Sequence, residues 1–170
     1  MLFRSKILDK EFPRIQYMIL KSPSISQDKF DRLIPSGRKN IVIVDNKTYE
    51  GIYSSDICMV CSGTATLETA VLEKPMVVVY KTSLFTWLLA KLFVKIPNIG
   101  MVNVVAGKRV VPECVQHQAT GKNIAKELKN IFTNELKVSD MKDELRKIKT
   151  SLGSKHSADT AAKEILHFLK

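Results

Sequence analysis

The sequence predicts an α/β fold in which a parallel, Rossmann-like sheet is flanked by helices, with further helices at the C-terminus. Two observations support this class. Short runs rich in β-branched residues alternate along the chain with stretches that have helical spacing. The runs are apolar at consecutive positions, so both faces of each strand require burial, as in a parallel sheet between two helical layers.

The N-terminal half supplies three of the predicted strands. The residues before Ile15 resemble the remains of a helix that enters a strand. The strand and Gly-rich turn that normally open a nucleotide-binding unit do not precede them, so the sequence looks cut into. The elements predicted here are strands at 15–21, 40–45 and 57–61, a helix at 26–35 with Ser26 as a possible N-cap, and a short helix or turn at 48–56.

The C-terminal half continues the alternation and ends in helices. The elements predicted here are helices at 64–73, 84–94 and 121–132, a strand at 76–80, a strand or extended loop at 98–105, and two terminal helices at 140–152 and 157–170. The charges of the terminal helices are interpreted as solvated faces, since no aromatic residues are interleaved with them. Nucleic acid is therefore not expected as a partner.

Length and composition restrict the class of protein. A chain of 170 residues, 45% of them apolar, suits one folded domain spanning 1–170. It has no apolar run of about 18 residues and no secretory signal, which favours a cytoplasmic protein. Cys58 and Cys61 have metal-like spacing, but they fall within one predicted strand and no second pair accompanies them. Structural cysteines are therefore expected, and no metal site.

The net charge of +10 is unevenly distributed. No Asp or Glu lies between Glu73 and Glu113, and the same stretch contains the apolar segment 84–94. Basic and apolar residues together indicate an anionic, partly apolar partner such as a phospholipid surface. The segment can be core, a groove for an acceptor lipid or a membrane-contact helix, and it is too short to span a bilayer. The residues predicted to contact the membrane are Trp87, Lys91 and Lys95.

A candidate anion site follows the strand at 57–61. Ser62, Gly63 and Thr64 precede the predicted helix, where free backbone N–H groups and the helix dipole favour a phosphate. Glu68 lies one turn further along the same face, and its carboxylate can accept hydrogen bonds from two sugar hydroxyls. This pattern indicates a bound nucleotide. The alternative is a capped helix, in which Glu68 closes a capping box.

A second candidate group lies in the segment 103–113. Arg109 follows a Gly-Lys pair and can bind a diphosphate through two parallel hydrogen bonds, while Asn103 can recognise a base or a sugar. Glu113 completes the predicted group, although it can instead cap a backbone or pair with Arg109. The alternative for the whole segment is a solvated loop.

The stretch from about residue 56 to 128 closely resembles the C-terminal domain of the lipid-A-disaccharide synthases, bacterial glycosyltransferases with the two-domain GT-B fold. The matching pieces are Ser-Gly-Thr-Ala-Thr-Leu-Glu at 62–68, Pro-Met-Val-Val-Val-Tyr at 75–80, Trp-Leu-Leu-Ala-Lys at 87–91, Asn103, Ala-Gly-Lys-Arg at 106–109, Val-Pro-Glu at 111–113, and Gln116. A generic nucleotide-sugar transferase would share the Gly-Thr and Glu pattern but not the basic, apolar helix and the loop after it.

The resemblance implies transfer of 2,3-diacylglucosamine from UDP-2,3-diacylglucosamine to 2,3-diacylglucosamine 1-phosphate, at the cytoplasmic face of the inner membrane. It implies no cofactor and no metal, because helix dipoles and Arg109 would stabilise the departing UDP. It also implies that the N-terminal acceptor domain, which carries the catalytic carboxylate, is missing here, so that this chain is the donor-binding half and inactive alone. The alternative function is a non-catalytic module that binds a nucleotide or an anionic lipid.

Overall fold

The protein was analysed as a computed structural model, which describes residues 6–21, 25–34, 39–83, 86–87, 98–153 and 157–168. Within them the strands are β1 (Tyr17–Lys21), β2 (Ile41–Asp45), β3 (Cys58–Cys61), β4 (Met76–Tyr80) and β5 (Glu113–Val115). The helices are α1 (Lys6–Glu11), α2 (Gln27–Leu33), α3 (Thr48–Ser54), α4 (Ala65–Val71), α5 (Met101–Ala106), α6 (Gly121–Phe132), α7 (Glu135–Leu152) and α8 (Ser157–Phe168). A short 3₁₀-helix, Gln116–Gln118, follows β5.

The described strands form two parallel sheets rather than one. β1 pairs only with β2, with Tyr17 opposite Ile41 and Lys21 opposite Asp45. β4 lies between β3 and β5, with Cys61 opposite Val79 and Val79 opposite Cys114. The predicted α/β class with parallel strands is confirmed, and its division into two sheets was not foreseen.

The hydrophobic core surrounds β4. Met76, Val77 and Val78 are each 0% exposed, so consecutive residues of this strand are buried on both faces of the sheet. α6 packs on β4, and the buried residues of α6 and α7 complete the core: Ile124, Ala125, Ile131, Met141, Leu145 and Ile148. The expectation of burial on both faces is confirmed for β4, the strand with a neighbour on each side.

β1 and β2 do not share this burial. Val42 and Ile43 are exposed to 50% and 46%, although the run 41–45 is richer in β-branched residues than β4. Met18 of β1 is also exposed. Burial on both faces was therefore wrong for β2, because no third described strand joins the pair β1–β2 and the helices beside it are short.

Most predicted elements are present, with shifted ends. Ser26 occupies the N-cap position of α2 but its side chain makes no capping bond, and 48–56 contains a true helix. α7 begins at Glu135, five residues before the predicted start at 140, because the Asn134 side chain accepts a hydrogen bond from the Lys137 N–H and caps it there.

The expectation of a strand or extended loop at 98–105 was wrong, because α5 occupies Met101–Ala106. A β-branched composition predicted extension, but a carboxylate distant in sequence stabilises the start of the helix: Glu113 accepts hydrogen bonds from the N–H groups of Ile99 and Gly100. Gly107, with φ 66°, ends the helix in the left-handed conformation. β5 itself was not predicted.

The predicted helix at 84–94 falls largely outside the described residues. Thr86 and Trp87 are helical, and the Trp87 side chain is half-buried. Lys91 and Lys95 lie outside the described residues, so their predicted membrane contact stays a prediction. In the part of the chain that the structure describes, no helix combines the length and apolar character that crossing a bilayer requires.

Candidate functional site

The candidate site lies at the edge of the sheet where β3, β4 and β5 all end. Because the three strands are parallel and adjacent, the segments after Cys61, Tyr80 and Val115 meet at one edge. In open α/β sheets this carboxyl edge is where ligands bind. The segments present there are the turn into α4, residues 81–83 after β4, and the 3₁₀-helix.

The turn into α4 leaves three successive N–H groups free. The N–H groups of Gly63, Thr64 and Ala65 donate no hydrogen bond within the described residues, whereas those of Thr66 and Leu67 bond back to the turn. Gly63 has φ 153°, which L-residues rarely adopt, and a Cβ there would meet nothing within 4 Å. No described residue therefore covers Gly63 on this side, and the turn presents donors suited to an anion.

The capping-box alternative is not formed. The N-cap residue Thr64 makes no side-chain capping bond, and the half-buried Glu68 carboxylate makes no hydrogen bond or ion pair within the described residues. The other two helix threonines, Thr66 and Thr69, direct their hydroxyls to the carbonyls of Gly63 and Ala65. Glu68 and the Thr64 hydroxyl are thus left available beside the free N–H groups.

Ser62 has a structural contact as well as a place in the candidate site. Its Oγ donates to the Ile99 carbonyl at 2.8 Å, which joins the turn after β3 to the segment that enters α5. Since a serine hydroxyl has one proton, Ser62 is left with acceptor capacity only. The predicted donation from Ser62 to a phosphate would require this bond to Ile99 to break.

Asn103 is enclosed rather than open to a ligand. Its side chain is fully buried, and its Oδ1 accepts from the N–H groups of Val110 and Val111 at 2.8 and 2.9 Å. Its Nδ2 donates to the Val111 carbonyl and to Glu113 Oε1. All four hydrogen-bonding positions of the amide are occupied. Direct recognition of a base or sugar by Asn103 stays a prediction, and its contacts position the 98–113 segment.

Glu113 is the partner around which this segment is ordered. The side chain is 7% exposed, and its carboxylate accepts from Ile99, Gly100 and the Asn103 amide. A carboxylate at a helix N-terminus is electrostatically favourable and stabilises α5. Of the two alternatives open for Glu113, capping is therefore the one that the structure contains, while contact with a nucleotide stays a prediction.

Arg109 lies away from the α4 turn. Its Nη2 donates to the Glu113 backbone carbonyl at 2.9 Å, so the guanidinium lies at β5 and is separated from β3 by β4. The side chain is otherwise exposed and keeps further N–H donors. The structure thus brings together Ser62, Gly63, Thr64 and Glu68, but it does not bring Arg109 beside them.

Gln116 was not singled out as a site residue by the sequence. It is 8% exposed with φ 48°, and its amide bonds to both the N–H and the carbonyl of Thr82 at 3.0 and 3.2 Å. This pairing fixes the segments after β4 and β5 to each other at the carboxyl edge. Its place in the matching pieces of the resemblance was the only sequence signal. The neighbouring Lys81 is exposed and adds a positive charge to the same edge.

The cysteines differ in their surroundings. Cys58 and Cys61 occupy the two ends of β3, where Cys58 is partly buried and Cys61 is exposed, and their structural role stays a prediction. Burial raises the pKa of the Cys58 thiol to about 11. Burial also raises the pKa of Cys114. No group of three or more potential metal ligands occurs within the described ranges.

A parallel sheet, short connections through helices and an open helix turn at its carboxyl edge define a Rossmann-like domain, one half of a GT-B glycosyltransferase fold. The family described as lipid-A-disaccharide synthetase matches residues 2–166. The chain belongs to this family of glycosyltransferases of lipid A biosynthesis.

Curated relatives carry the same name. The lipid-A-disaccharide synthase of Myxococcus xanthus is 30% identical over 165 residues, covering 97% of this chain and 43% of the relative. That of Syntrophus aciditrophicus is 30% identical over 171 residues, covering 100% of this chain and 45% of the relative. That of Chromobacterium violaceum is 29% identical over 95% of this chain. The chain therefore spans less than half the length of the curated relatives it matches.

Proposed function

We propose that this chain is the donor-binding half of a hexosyltransferase. The reaction moves 2,3-diacylglucosamine from UDP-2,3-diacylglucosamine to 2,3-diacylglucosamine 1-phosphate, and yields the lipid A disaccharide and UDP. The observation that carries the proposal is the turn into α4 at the carboxyl edge of a parallel sheet, where three N–H groups and a carboxylate have no partner among the described residues. The family membership supplies the reaction class.

The proposed site divides the nucleotide between two kinds of partner. The free N–H groups of Gly63, Thr64 and Ala65 donate to a phosphate oxygen, and the exposed Thr64 hydroxyl adds a donor. Glu68, one turn further, accepts hydrogen bonds from the two ribose hydroxyls. A charged carboxylate accepts such bonds more strongly than a neutral side chain does. Development of negative charge on UDP as the glycosidic bond breaks is stabilised by the same N–H groups.

Arg109, Asn103 and Glu113 are assigned different parts in this proposal. Asn103 and Glu113 position α5 and the strand β5 through buried hydrogen bonds. Arg109 keeps free donors and would approach the diphosphate only after leaving the Glu113 carbonyl. No metal or other cofactor is part of the proposal, since donors from the protein carry the charge of the leaving group.

The general base is proposed to come from outside this chain. General-base help contributes about 10²–10⁴-fold to such a step, and positioning of the acceptor contributes more. The described site contains one free carboxylate, Glu68, which is assigned to the ribose. We therefore propose that the chain completes its site with the remainder of a two-domain transferase, the part of its relatives that it does not match.

The first test is calorimetry with UDP. Glu68→Ala should weaken UDP binding by about 1–3 kcal/mol, because two ribose hydroxyls lose their acceptor. The matched control is Glu50→Ala, which removes the same group from the first turn of α3, after β2. Glu50→Ala should leave the affinity unchanged. Equal affinities for all three proteins would overturn the ribose assignment.

The rate of thiol alkylation at Cys61 is an independent measure of UDP binding at the same site. Cys61 is exposed and directly precedes Ser62, so bound UDP should slow its alkylation. Cys58 is an internal control, since a pKa of about 11 leaves almost no thiolate at pH 8. Unchanged Cys61 labelling under saturating UDP would place the nucleotide elsewhere. Disaccharide formation by the chain alone would overturn the proposal that the general base comes from outside this chain.

We also propose peripheral contact with the cytoplasmic face of the inner membrane. The support is the segment between Glu73 and Glu113, which combines basic and apolar residues and lacks acids, and whose Lys81 is exposed at the carboxyl edge. The chain should bind anionic phospholipid vesicles in low salt and dissociate as salt rises, at about 1 kcal/mol per basic residue near the surface. Equal partitioning to neutral and anionic vesicles would contradict an electrostatic contact.

A further inference from the structure

The backbone just after β4 keeps the hydrogen-bonding pattern of the strand. In a parallel sheet, alternate residues of a central strand bond to opposite neighbours. The Val78 N–H donates to the β5 side, and the Val79 carbonyl accepts from the Ser62 N–H on the β3 side. Beyond the end of the strand, Thr82 bonds to the β5 side again, at Gln116. The alternation of β4 therefore continues as far as Thr82.

A side chain makes the last pair of these bonds. Gln116 Oε1 accepts from the Thr82 N–H at 3.0 Å, and Gln116 Nε2 donates to the Thr82 carbonyl at 3.2 Å. A side-chain amide has an acceptor and donors together, as a neighbouring strand has. Gln116 is 8% exposed, and its φ of 48° is uncommon for a residue other than glycine. A buried residue in a strained conformation whose amide bonds to this backbone indicates a role in holding the segment after β4.

Lys81 is the residue that this pairing positions. It directly precedes Thr82, and by the alternation its N–H is directed to the β3 side. Neither that N–H nor the exposed ammonium has a hydrogen-bond or ion-pair partner among the described residues. Continuing the register beyond the pair Cys61 and Val79 places Lys81 level with Gly63. Because neighbouring strands lie about 4.8 Å apart, Lys81 borders the turn after β3.

Arg109 does not have this position. Its guanidinium bonds to the Glu113 carbonyl in β5, so β4 lies between Arg109 and the turn after β3. Lys81 follows β4 itself, the strand next to β3. A lysine ammonium is a compact charge on a flexible stem, and it binds a phosphate without the fixed geometry that a guanidinium requires. Lys81 can therefore contact a phosphate beside the one at the turn.

We propose that Lys81 binds one phosphate of a nucleoside diphosphate whose other phosphate lies at the turn after β3, and that Gln116 positions Lys81 through Thr82. This inference rests on the proposed function, because it assigns a further contact in the same donor site. Lys81 takes the part that the sequence predicted for Arg109. Gln116 is a positioning residue, which acts on the diphosphate without touching it.

Titration calorimetry with UDP and with inorganic pyrophosphate tests the contact from Lys81. Lys81→Gln should weaken the binding of both ligands at least about tenfold, because each loses a charge-assisted hydrogen bond. Glu68→Ala should weaken the binding of UDP only, since pyrophosphate has no ribose. The matched control is Lys74→Gln, which removes the same charge shortly before β4, at the opposite edge of the sheet. It should leave both affinities unchanged.

The two ligands separate this inference from the proposed function. If Glu68→Ala weakens UDP binding while Lys81→Gln changes neither affinity, the role of Lys81 is overturned and the donor site stands. Loss of both affinities in Lys81→Gln, with no effect of Glu68→Ala, supports Lys81 and overturns the ribose assignment. Equal losses in Lys81→Gln and Lys74→Gln would overturn a specific contact. If the parent chain binds neither ligand, both proposals are wrong.

The membrane is the competing partner for the same charge. Lys81→Gln would then reduce binding to anionic phospholipid vesicles and leave the affinity for pyrophosphate unchanged. That combination would overturn the contact with a diphosphate. A loss of pyrophosphate affinity in Lys81→Gln, with vesicle binding close to that of the parent chain, would support it.

A double-mutant cycle tests the positioning by Gln116. Gln116→Met keeps a side chain of similar length and removes both bonds to Thr82, so it should weaken pyrophosphate binding about threefold to tenfold. In a Lys81→Gln background the same change should weaken it less than about twofold, because the residue through which Gln116 acts is already altered. Gln118→Met, on the same 3₁₀-helix but exposed, is the control. Equal effects of Gln116→Met in the two backgrounds would overturn the positioning role.

Amide hydrogen exchange in the parent chain gives a measurement that needs no variant to fold. Thr82 and Lys81 are successive amides, and only the Thr82 N–H has a partner within the described residues. Thr82 should therefore be protected in the free chain and Lys81 should not. Saturating pyrophosphate should slow exchange at Lys81 at least about tenfold and change Thr82 less. An unprotected Thr82 would overturn the role of Gln116, and unchanged exchange at Lys81 with pyrophosphate bound would overturn the contact.

Discussion

The β3–β5 sheet and the β1–β2 pair are built from similar strands but are held together differently. Val78 of β4 is fully buried between two neighbouring strands, whereas Val42 of β2 is half exposed at 50%. Both belong to five-residue runs of mostly β-branched residues. The contrast teaches that an apolar strand sequence indicates that burial is favourable, whereas the strands and helices packed beside it determine how much of the strand is buried.

The polar side chains are also more buried in the β3–β5 half than beside the β1–β2 pair. Asn103 connects β5, α5 and the loop between them through four hydrogen bonds inside the β3–β5 half, with no solvent exposure. Asn40 has the comparable position before β2, where its amide donates to Asp9 and to the Ile15 carbonyl at 3.1 and 3.4 Å, only partly buried. A buried network that is fully satisfied rigidifies its surroundings more than a solvated one.

The largest expected difference between the halves comes from these two asparagines. Asn103→Ala leaves the Val110 and Val111 N–H groups without their side-chain acceptor and removes one of the buried hydrogen bonds to Glu113, so it should lower the free energy of unfolding by about 3–5 kcal/mol. Asn40→Ala should cost about 1 kcal/mol, since water replaces the lost bonds. Urea unfolding of both variants, followed by circular dichroism, measures the two losses.

Circular dichroism spectra without urea serve as the control, since both variants must begin from a folded state. Equal losses would show that the two halves are comparably rigid and would break the comparison. A larger loss for Asn40→Ala would reverse it, and would mean that the contact between α1 and the β1–β2 pair limits the stability of the whole chain.

How much of this could be foreseen depends on whether the signal is local. β4 and the turn into α4 were predictable, because the residues that determine them lie within the elements themselves: an apolar run for the strand and Ser-Gly-Thr for the turn. α5 was not, because the group that stabilises its start, the Glu113 carboxylate, follows it by several residues and reaches back across the fold. Val102 to Val105 alone indicate a strand, and tertiary contacts outweigh that propensity.

The candidate site shows the same division. The turn at Gly63 and Glu68 are close in sequence and lie between the end of β3 and the first turn of α4, while their contact with a nucleotide stays a prediction. Three other features depend on the position of β5 in the sheet. They are the buried side chain of Asn103, the hydrogen bond from Arg109 to the Glu113 carbonyl, and the hydrogen bond from Gln116 to the Thr82 carbonyl. A strand of three residues gives too short a pattern to be recognised in the sequence.

A smaller difference in the free energy of unfolding is expected when the same substitution, Val to Ala, is made in the two halves. Val78→Ala removes two methyl groups from a fully packed site, where the backbone of β3 and β5 prevents collapse, so it should cost about 2 kcal/mol. Val42→Ala removes them from a side chain already half in water, and should cost less than about 1 kcal/mol, mostly through β propensity. Thermal unfolding of the two variants and the parent chain measures both values. Because the two substitutions are chemically identical, similar losses could not be explained by the side chain. They would show instead that Val42 becomes buried in solution, by a partner on β2, and that the half-exposed state of the β1–β2 pair is not the one that unfolds.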